Sequence, residues 1–232
     1  MTRAAAIIGA SGGIGGALAE ALREEGAYDA VYAFSRGASD ADRLDLDDEE
    51  SVRAAAQRVA GGPSLELIVV ATGLLHEGGR GPEKSLSELD PEWMLRYFAV
   101  NSVGPAIAAK HFLPLLPVDR RAVFAVLSAR VGSIGDNRLG GWYGYRASKA
   151  ALNMFVRTAS VELARTRPRA IIVGLHPGTV DTGLSKPFQR NVAPGKLFTP
   201  ATSAAHLLDV IDALKRPDSG NCLDWGGETI PP

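Results

Sequence analysis

Ala4-Ala5-Ala6-Ile7-Ile8-Gly9-Ala10-Ser11-Gly12-Gly13-Ile14-Gly15-Gly16-Ala17-Leu18 carries, in one short stretch, a strand, a turn and the start of a helix. Ala4 to Ile8 is apolar without alternation, the pattern of a strand covered on both faces. Gly9 interrupts it, and beyond the turn Ile14, Leu18, Ala21 and Leu22 share one face of a helical period. Glycines at 9, 13 and 15 permit a tight turn whose backbone N–H groups a phosphate could approach closely. The helix N-terminus beneath adds a favourable dipole. Ser11, Gly12 and Ile14 complete this candidate phosphate loop, set in the strand, turn and helix context that such a loop requires.

Apolar runs of strand length recur at Ala30 to Phe34, Leu65 to Ala71, Ala122 to Leu127 and Ala170 to Leu175. Between them, Leu86 to Val100, Ala106 to Leu116, Ala147 to Ala164 and Ala201 to Leu214 have helical period. Strands alternating with helices predict βαβ units, hence an α/β fold: one Rossmann-type, doubly wound parallel sheet with helices on both faces. Gly61-Gly62-Pro63, Arg167-Pro168 and Arg216-Pro217 read as helix ends. No linker or repeat divides the 232 residues, so a single domain over 1–232 is expected, with residues 183–199 as a long loop able to act as a substrate lid.

Composition narrows the class. The 25 Lys and Arg nearly cancel the 26 Asp and Glu, so no overall positive field exists to hold nucleic acid or an anionic membrane, and neither is an expected partner. Cys222 is the only cysteine, which excludes an intrachain disulfide and a closed cysteine-based zinc site. The apolar run from Met1 to Ile8 is short for a signal peptide, and no stretch approaches the ~20 apolar residues that span a bilayer. A cytoplasmic location is the expectation. His76, His111, His176 and His206 show no metal-ligand spacing and read as surface or turn residues; no metal is expected. Trp93, Trp142 and Trp225 read as core or interface more readily than as substrate pocket, and Asp40 to Glu50 as a solvated loop leading into a helix start.

The second strand ends Phe34-Ser35-Arg36. In dinucleotide folds an acidic residue here pairs with a ribose 2′-hydroxyl and repels a 2′-phosphate, whereas a small hydroxyl followed by Arg accommodates one. NADP(H) is therefore expected over NAD(H), which remains the alternative. Asp45 and Leu46 are placed to bracket an adenine ring. Tyr145 and Lys149, four apart at the front of a predicted helix, lie on one face about a turn from each other. An ammonium beside a phenol favours phenolate, lowering the Tyr pKa from its ordinary ~10. Tyr145 is thus a candidate proton donor to a carbonyl or acceptor from an alcohol.

The order of these features, with Gly73 after the third strand, Asn101 in a helix and His176-Pro177-Gly178-Thr179-Val180-Asp181-Thr182 after the fifth, resembles the short-chain dehydrogenase/reductase family over essentially the whole chain. The segments 131–137, 140–153, 176–182 and 218–231 are similar to its C-factor (C-signal) and sniffer-like carbonyl reductase branch. The resemblance implies hydride transfer between NADP(H) and a small carbonyl or alcohol. It implies Tyr145 as acid/base, Lys149 as its tuner and ribose ligand, and Asn101 as holder of a helix kink and a relay water. Pro177, Gly178, Thr179, Val180 and Thr182 would hold the nicotinamide, Ala71, Thr72 and Gly73 the adenosine side. A homodimer or homotetramer is implied as well.

Two departures matter. Val70-Ala71-Thr72-Gly73 stands where relatives usually read Asn-Asn-Ala-Gly, and Ala129 occupies the place of the family's substrate-orienting Ser. Ser128 is adjacent but should face the other way along a strand, and Ser133 on the next loop could reach a substrate oxygen. Without such a donor turnover would be slow. That admits the second reading, a nucleotide-binding signalling or regulatory protein of C-factor type with weak or no turnover.

Overall fold

The computed structural model describes residues 2–232, apart from the side chains of Asp40 and Asn191; Met1, at which the signal-peptide reading begins, lies outside the described residues. Six parallel strands form the central sheet: β1 (Arg3–Ile8), β2 (Ala30–Phe34), β3 (Ser64–Val70), β4 (Ala122–Leu127), β5 (Ala170–His176) and a short last strand, Cys222–Asp224. Their order runs β2-β1-β3-β4-β5 and then Cys222–Asp224, so the chain reverses its direction of growth between β1 and β3. Such a switch point opens a crevice at the carboxyl ends of the strands, where α/β sheets bind ligands.

Alternation along each strand divides the core in two. Ala4, Ala6 and Ile8 pack with Val52, Val59, Phe112 and Leu152 on one face, while Ala5 and Ile7 pack with Leu18, Leu22, Leu207 and Ile211 on the other. The first face is covered by α2 (Glu49–Ala60), α4 (Gly104–Phe112) and α5 (Tyr143–Thr166), the second by α1 (Gly13–Glu25) and α6 (Pro200–Ala213), with α3 (Pro91–Phe98) beside α5. Each fully buried Leu or Ile in these layers contributes about 1.5–3 kcal/mol over an exposed one. Local signals set the ends. Asp48 accepts from the Glu50 N–H at 3.1 Å to open α2, and Asp90 from the Trp93 N–H at 2.8 Å ahead of Pro91 to open α3.

Three elements depart from the sequence reading. The helix expected over Leu86 to Val100 is a separate turn at Leu86–Glu88, then α3, then a π-type segment at Ala99–Val103 that runs into α4. Asp90 and Pro91 divide it, since an N-cap and a fixed φ start a new helix. The catalytic-face helix begins at Tyr143, four residues before the expected Ala147. The Cys222–Asp224 strand is too short to show periodicity. Two further short strands, β6 (Thr179–Val180) and β7 (Leu197–Phe198), pair with each other; the Cys222–Asp224 strand is accordingly β8. Among the described residues no helix is long and apolar enough to cross a membrane.

Candidate active site

At the carboxyl ends of β1 and β3 the phosphate loop folds as its composition requires. Gly9 sits at φ +93°, a left-handed conformation that a side chain resists. Its N–H and that of Ala10 both donate to the Phe34 carbonyl at 2.9 Å, tying the turn to β2. A Cβ on Gly15 would collide with the Gly9 carbonyl oxygen, and one on Gly13 would stand 2.7 Å from Thr182 Cγ2. Gly15 is thus the floor of the loop, where helix and turn touch. Gly12 caps α1 with no side-chain hydrogen bond, leaving the first-turn N–H groups turned toward the crevice.

Two adjoining cavities share this loop. The smaller, about 280 Å³, is bordered by Gly9, Ser35, Arg36, Asp45, Leu46 and Thr72. Arg36 is exposed at its rim, and Asp45 lies 3.5 Å from Arg43. Asp47 pairs with Arg96 at 2.7 Å on the same wall. The larger, about 740 Å³, is bordered by Ser11, Gly12, Gly13 and Ile14 on one side and Pro177, Gly178, Thr179, Val180 and Thr182 on another. Tyr145, Lys149 and Ala129 complete its catalytic wall, with Ala71, Thr72 and Gly73 at the junction of the two spaces. Thr72 Oγ1 is buried with no partner among the described residues. An orphaned hydroxyl, a glycine cradle and free helix N–H groups together fit a dinucleotide.

Tyr145 and Lys149 stand on the first two turns of α5, both buried, at 7% and 3% exposure. Lys149 Nζ donates to the Leu127 carbonyl at 2.8 Å, at the end of β4, and lies 6.0 Å from the centre of the Tyr145 ring. The lowering of the Tyr145 pKa expected from this neighbour is not what the geometry produces. Burial, then the Tyr97 phenol, push Tyr145 above its ordinary value, and burial brings Lys149 down to about 8. A phenol kept neutral is the form a proton donor needs.

Asn101 is fully buried in the π-type segment, behind the cavity rather than in its wall. Its Oδ1 accepts from the Leu74 N–H at 2.8 Å, and its Nδ2 donates to the Leu74 carbonyl at 2.9 Å and to Ser148 Oγ at 3.1 Å. Ser148 Oγ in turn donates to the Tyr145 carbonyl at 2.8 Å. The amide is therefore the peg that holds the irregular helix against α5. Of the two candidate serines, Ser128 borders the larger cavity and Ser133 does not. Ser128 Oγ donates to Asn153 Oδ1 at 2.6 Å, and Ser133 Oγ, buried and outside the cavity wall, accepts from the Asp136 N–H at 3.0 Å.

Trp142, Phe188, Leu184 and Val192 give the larger cavity its apolar side. Trp142 meets both Tyr145 and Phe188 edge to face, with ring centres 6.0 and 5.2 Å apart, so here it is pocket rather than interface. His176, read from sequence as a turn residue, also borders the cavity. Burial, reinforced by Arg130, lowers its pKa to about 4. The unfolded chain then takes up this proton first as pH falls, so stability rises with pH between about 4 and 6.5 and is lost on acidification through that window. The contribution is at most about 3 kcal/mol. Urea midpoints measured from pH 7 to 4 should fall less steeply in His176→Gln than in the parent; parallel profiles would exclude this titration.

The sequence matches the short chain dehydrogenase family over residues 3–193. C-signal of Myxococcus xanthus is 36% identical over 181 residues, covering 78% of this chain and 99% of its own. The 1-hydroxy-2-glutathionyl-2-methyl-3-butene dehydrogenase of Rhodococcus sp. (strain AD45) is 31% identical over 223 residues, covering 92% of each chain. Among solved structures, a short-chain dehydrogenase/reductase from Burkholderia multivorans with bound NADP superposes with a TM-score of 0.80 at 26% identity, over 100% of both chains.

Proposed function

Since this chain belongs to the short chain dehydrogenase family and is an NAD(P)-dependent oxidoreductase, we propose that it acts as an NADPH-preferring carbonyl reductase on small or medium apolar aldehydes and ketones. One observation carries the reading: Tyr145, Lys149, the phosphate loop and the 177–182 segment border a single, largely apolar cavity. The dinucleotide, when bound, supplies the hydride. Ser11 to Ile14 and the first turn of α1 bind its phosphates, Ser35 and Arg36 receive the 2′-phosphate, and Lys149 holds the nicotinamide ribose. Tyr145 donates the proton to the nascent alkoxide, and Asn101 keeps α5 in register behind it. The NADP-bound Burkholderia protein supports the cofactor preference.

In this reading residues 183–199 form a lid. Phe188, Leu184 and Val192 hang from it over the cavity, and His76 Nε2 meets the Gly183 carbonyl at 2.9 Å at its hinge. The protein works in the cytoplasm as a homodimer or homotetramer, for which the exposed apolar side chains of Val103, Met154 and Val161 supply a face. A signalling role without turnover is not favoured, because it leaves the Tyr145 and Lys149 arrangement without a task. A panel of aldehydes and ketones followed by NADPH absorbance tests the function. At least one apolar carbonyl should be reduced, and Arg36→Ala should erase the preference for NADPH over NADH. Silence across the panel would remove the reading.

A further inference from the structure

Helix α5 carries the candidate acid/base in its first turn, yet its own N-cap contributes nothing. Trp142 occupies that position at φ 53°, a left-handed conformation unusual for a bulky side chain, and makes no side-chain cap hydrogen bond. Its indole is committed to the cavity, against Tyr145 and Phe188. The orphan N–H groups of the first turn must then find acceptors elsewhere. Both that are found come from one distant residue. Glu83 Oε2 accepts from the Gly144 N–H at 3.0 Å, and the Glu83 carbonyl accepts from the Trp142 N–H.

Glu83 is 3% exposed, and its Oε1 is buried with no partner among the described residues. Burying a carboxylate with one oxygen unsatisfied is costly, so the helix N-terminus is what offsets it. The fit is close on both sides. A Cβ on Gly144 would stand 2.8 Å from Glu83 Oε1 and 2.8 Å from Tyr97 Cδ2, and the Tyr97 ring meets Tyr145 edge to face, centres 6.0 Å apart. We propose that Glu83 is the surrogate N-cap of α5 and the positioning residue for Tyr145 and Trp142. It holds the left-handed turn that aims the indole and fixes the helical turn that aims the phenol.

This inference rests on the carbonyl reductase reading for its kinetic consequence but not for its structural one, and the experiment separates the two. Glu83→Ala should lower kcat about 10–100-fold, the cost of misaiming a catalytic group. NADPH affinity should stay within about twofold, because the phosphate loop lies elsewhere. Glu83→Gln, whose amide oxygen can still accept from Gly144, should recover most of the rate. Independently of turnover, amide exchange of Trp142 to Tyr145 should quicken about tenfold or more in Glu83→Ala, with the later turns of α5 unaffected and Glu83→Gln close to the parent. If no carbonyl is reduced by the parent protein, the proposed function fails while the exchange rates still decide the cap. Unchanged exchange and kcat in Glu83→Ala would overturn the proposal, as would equal losses of kcat, NADPH affinity and global protection.

Discussion

Tyr145→Phe should abolish measurable carbonyl reduction while leaving NADPH binding, followed by fluorescence titration, within about twofold of the parent. The expected loss is about 100 to 10,000-fold in kcat, the ordinary worth of a positioned general acid. No neighbouring phenol can take over. Tyr97, the ring packed against Tyr145, is fully buried, donates its hydroxyl to the Leu75 carbonyl at 2.7 Å, and is pushed up to about 12 by burial. Lys149, near 8, retains its proton at neutral pH but is anchored on the Leu127 carbonyl. A tyrosine that burial keeps neutral donates to a carbonyl across neutral and mildly alkaline pH, whereas taking a proton from an alcohol needs the disfavoured phenolate. Turnover of Tyr145→Phe at the parent rate would show that the proton comes from another group.

How much of this fold and site is legible in the sequence depends on whether the signal is local. The phosphate loop and the five main strands can be read because a continuous apolar run that stops at glycine suits a doubly covered strand and its turn, and each lies within a few residues of its cause. Ser11 to Ile14, Thr72, Tyr145, Lys149 and Pro177 to Thr182 do meet in one cavity. The irregular segment at Asn101 is legible only through the family resemblance, since a π-type turn leaves no trace in periodicity. Glu83 carries no such signal. It sits in a polar stretch, Gly81-Pro82-Glu83-Lys84, where a carboxylate reads as solvated, and only the tertiary fold brings it under α5. His176 misleads for a related reason, since a residue beside Pro177-Gly178 reads as an exposed turn until β8 and the cavity wall enclose it. The Tyr145 pKa goes the other way from the sequence expectation because spacing reveals the neighbouring lysine but not the burial, and burial, then the Tyr97 phenol, raise it.

Ala129→Ser should raise the rate. Ala129 leaves β4 in an extended conformation, at φ −153° and ψ 146°, and packs in the apolar cluster with Tyr145, Tyr97 and Leu74 while bordering the cavity. A hydroxyl added there would share the cavity with Tyr145, and the change adds one atom beside open volume, so the fold should tolerate it. Of the two native serines nearby, Ser128 borders the cavity but gives its proton to Asn153, and Ser133 lies outside the cavity wall. Donors aimed at a developing oxyanion are worth about 2.7–4 kcal/mol where evolution has placed them, or about 100 to 1000-fold in rate. A donor added to an unadapted site should realise part of that, so an increase of about 10-fold or more in kcat, with KM changed much less, is expected from steady-state kinetics on whichever carbonyl the panel identifies. If kcat instead stays level or falls, the substrate oxygen is already held by a group the hydroxyl merely displaces. The Trp142 indole N–H, aimed by the same turn that Glu83 caps, is then the next donor to remove.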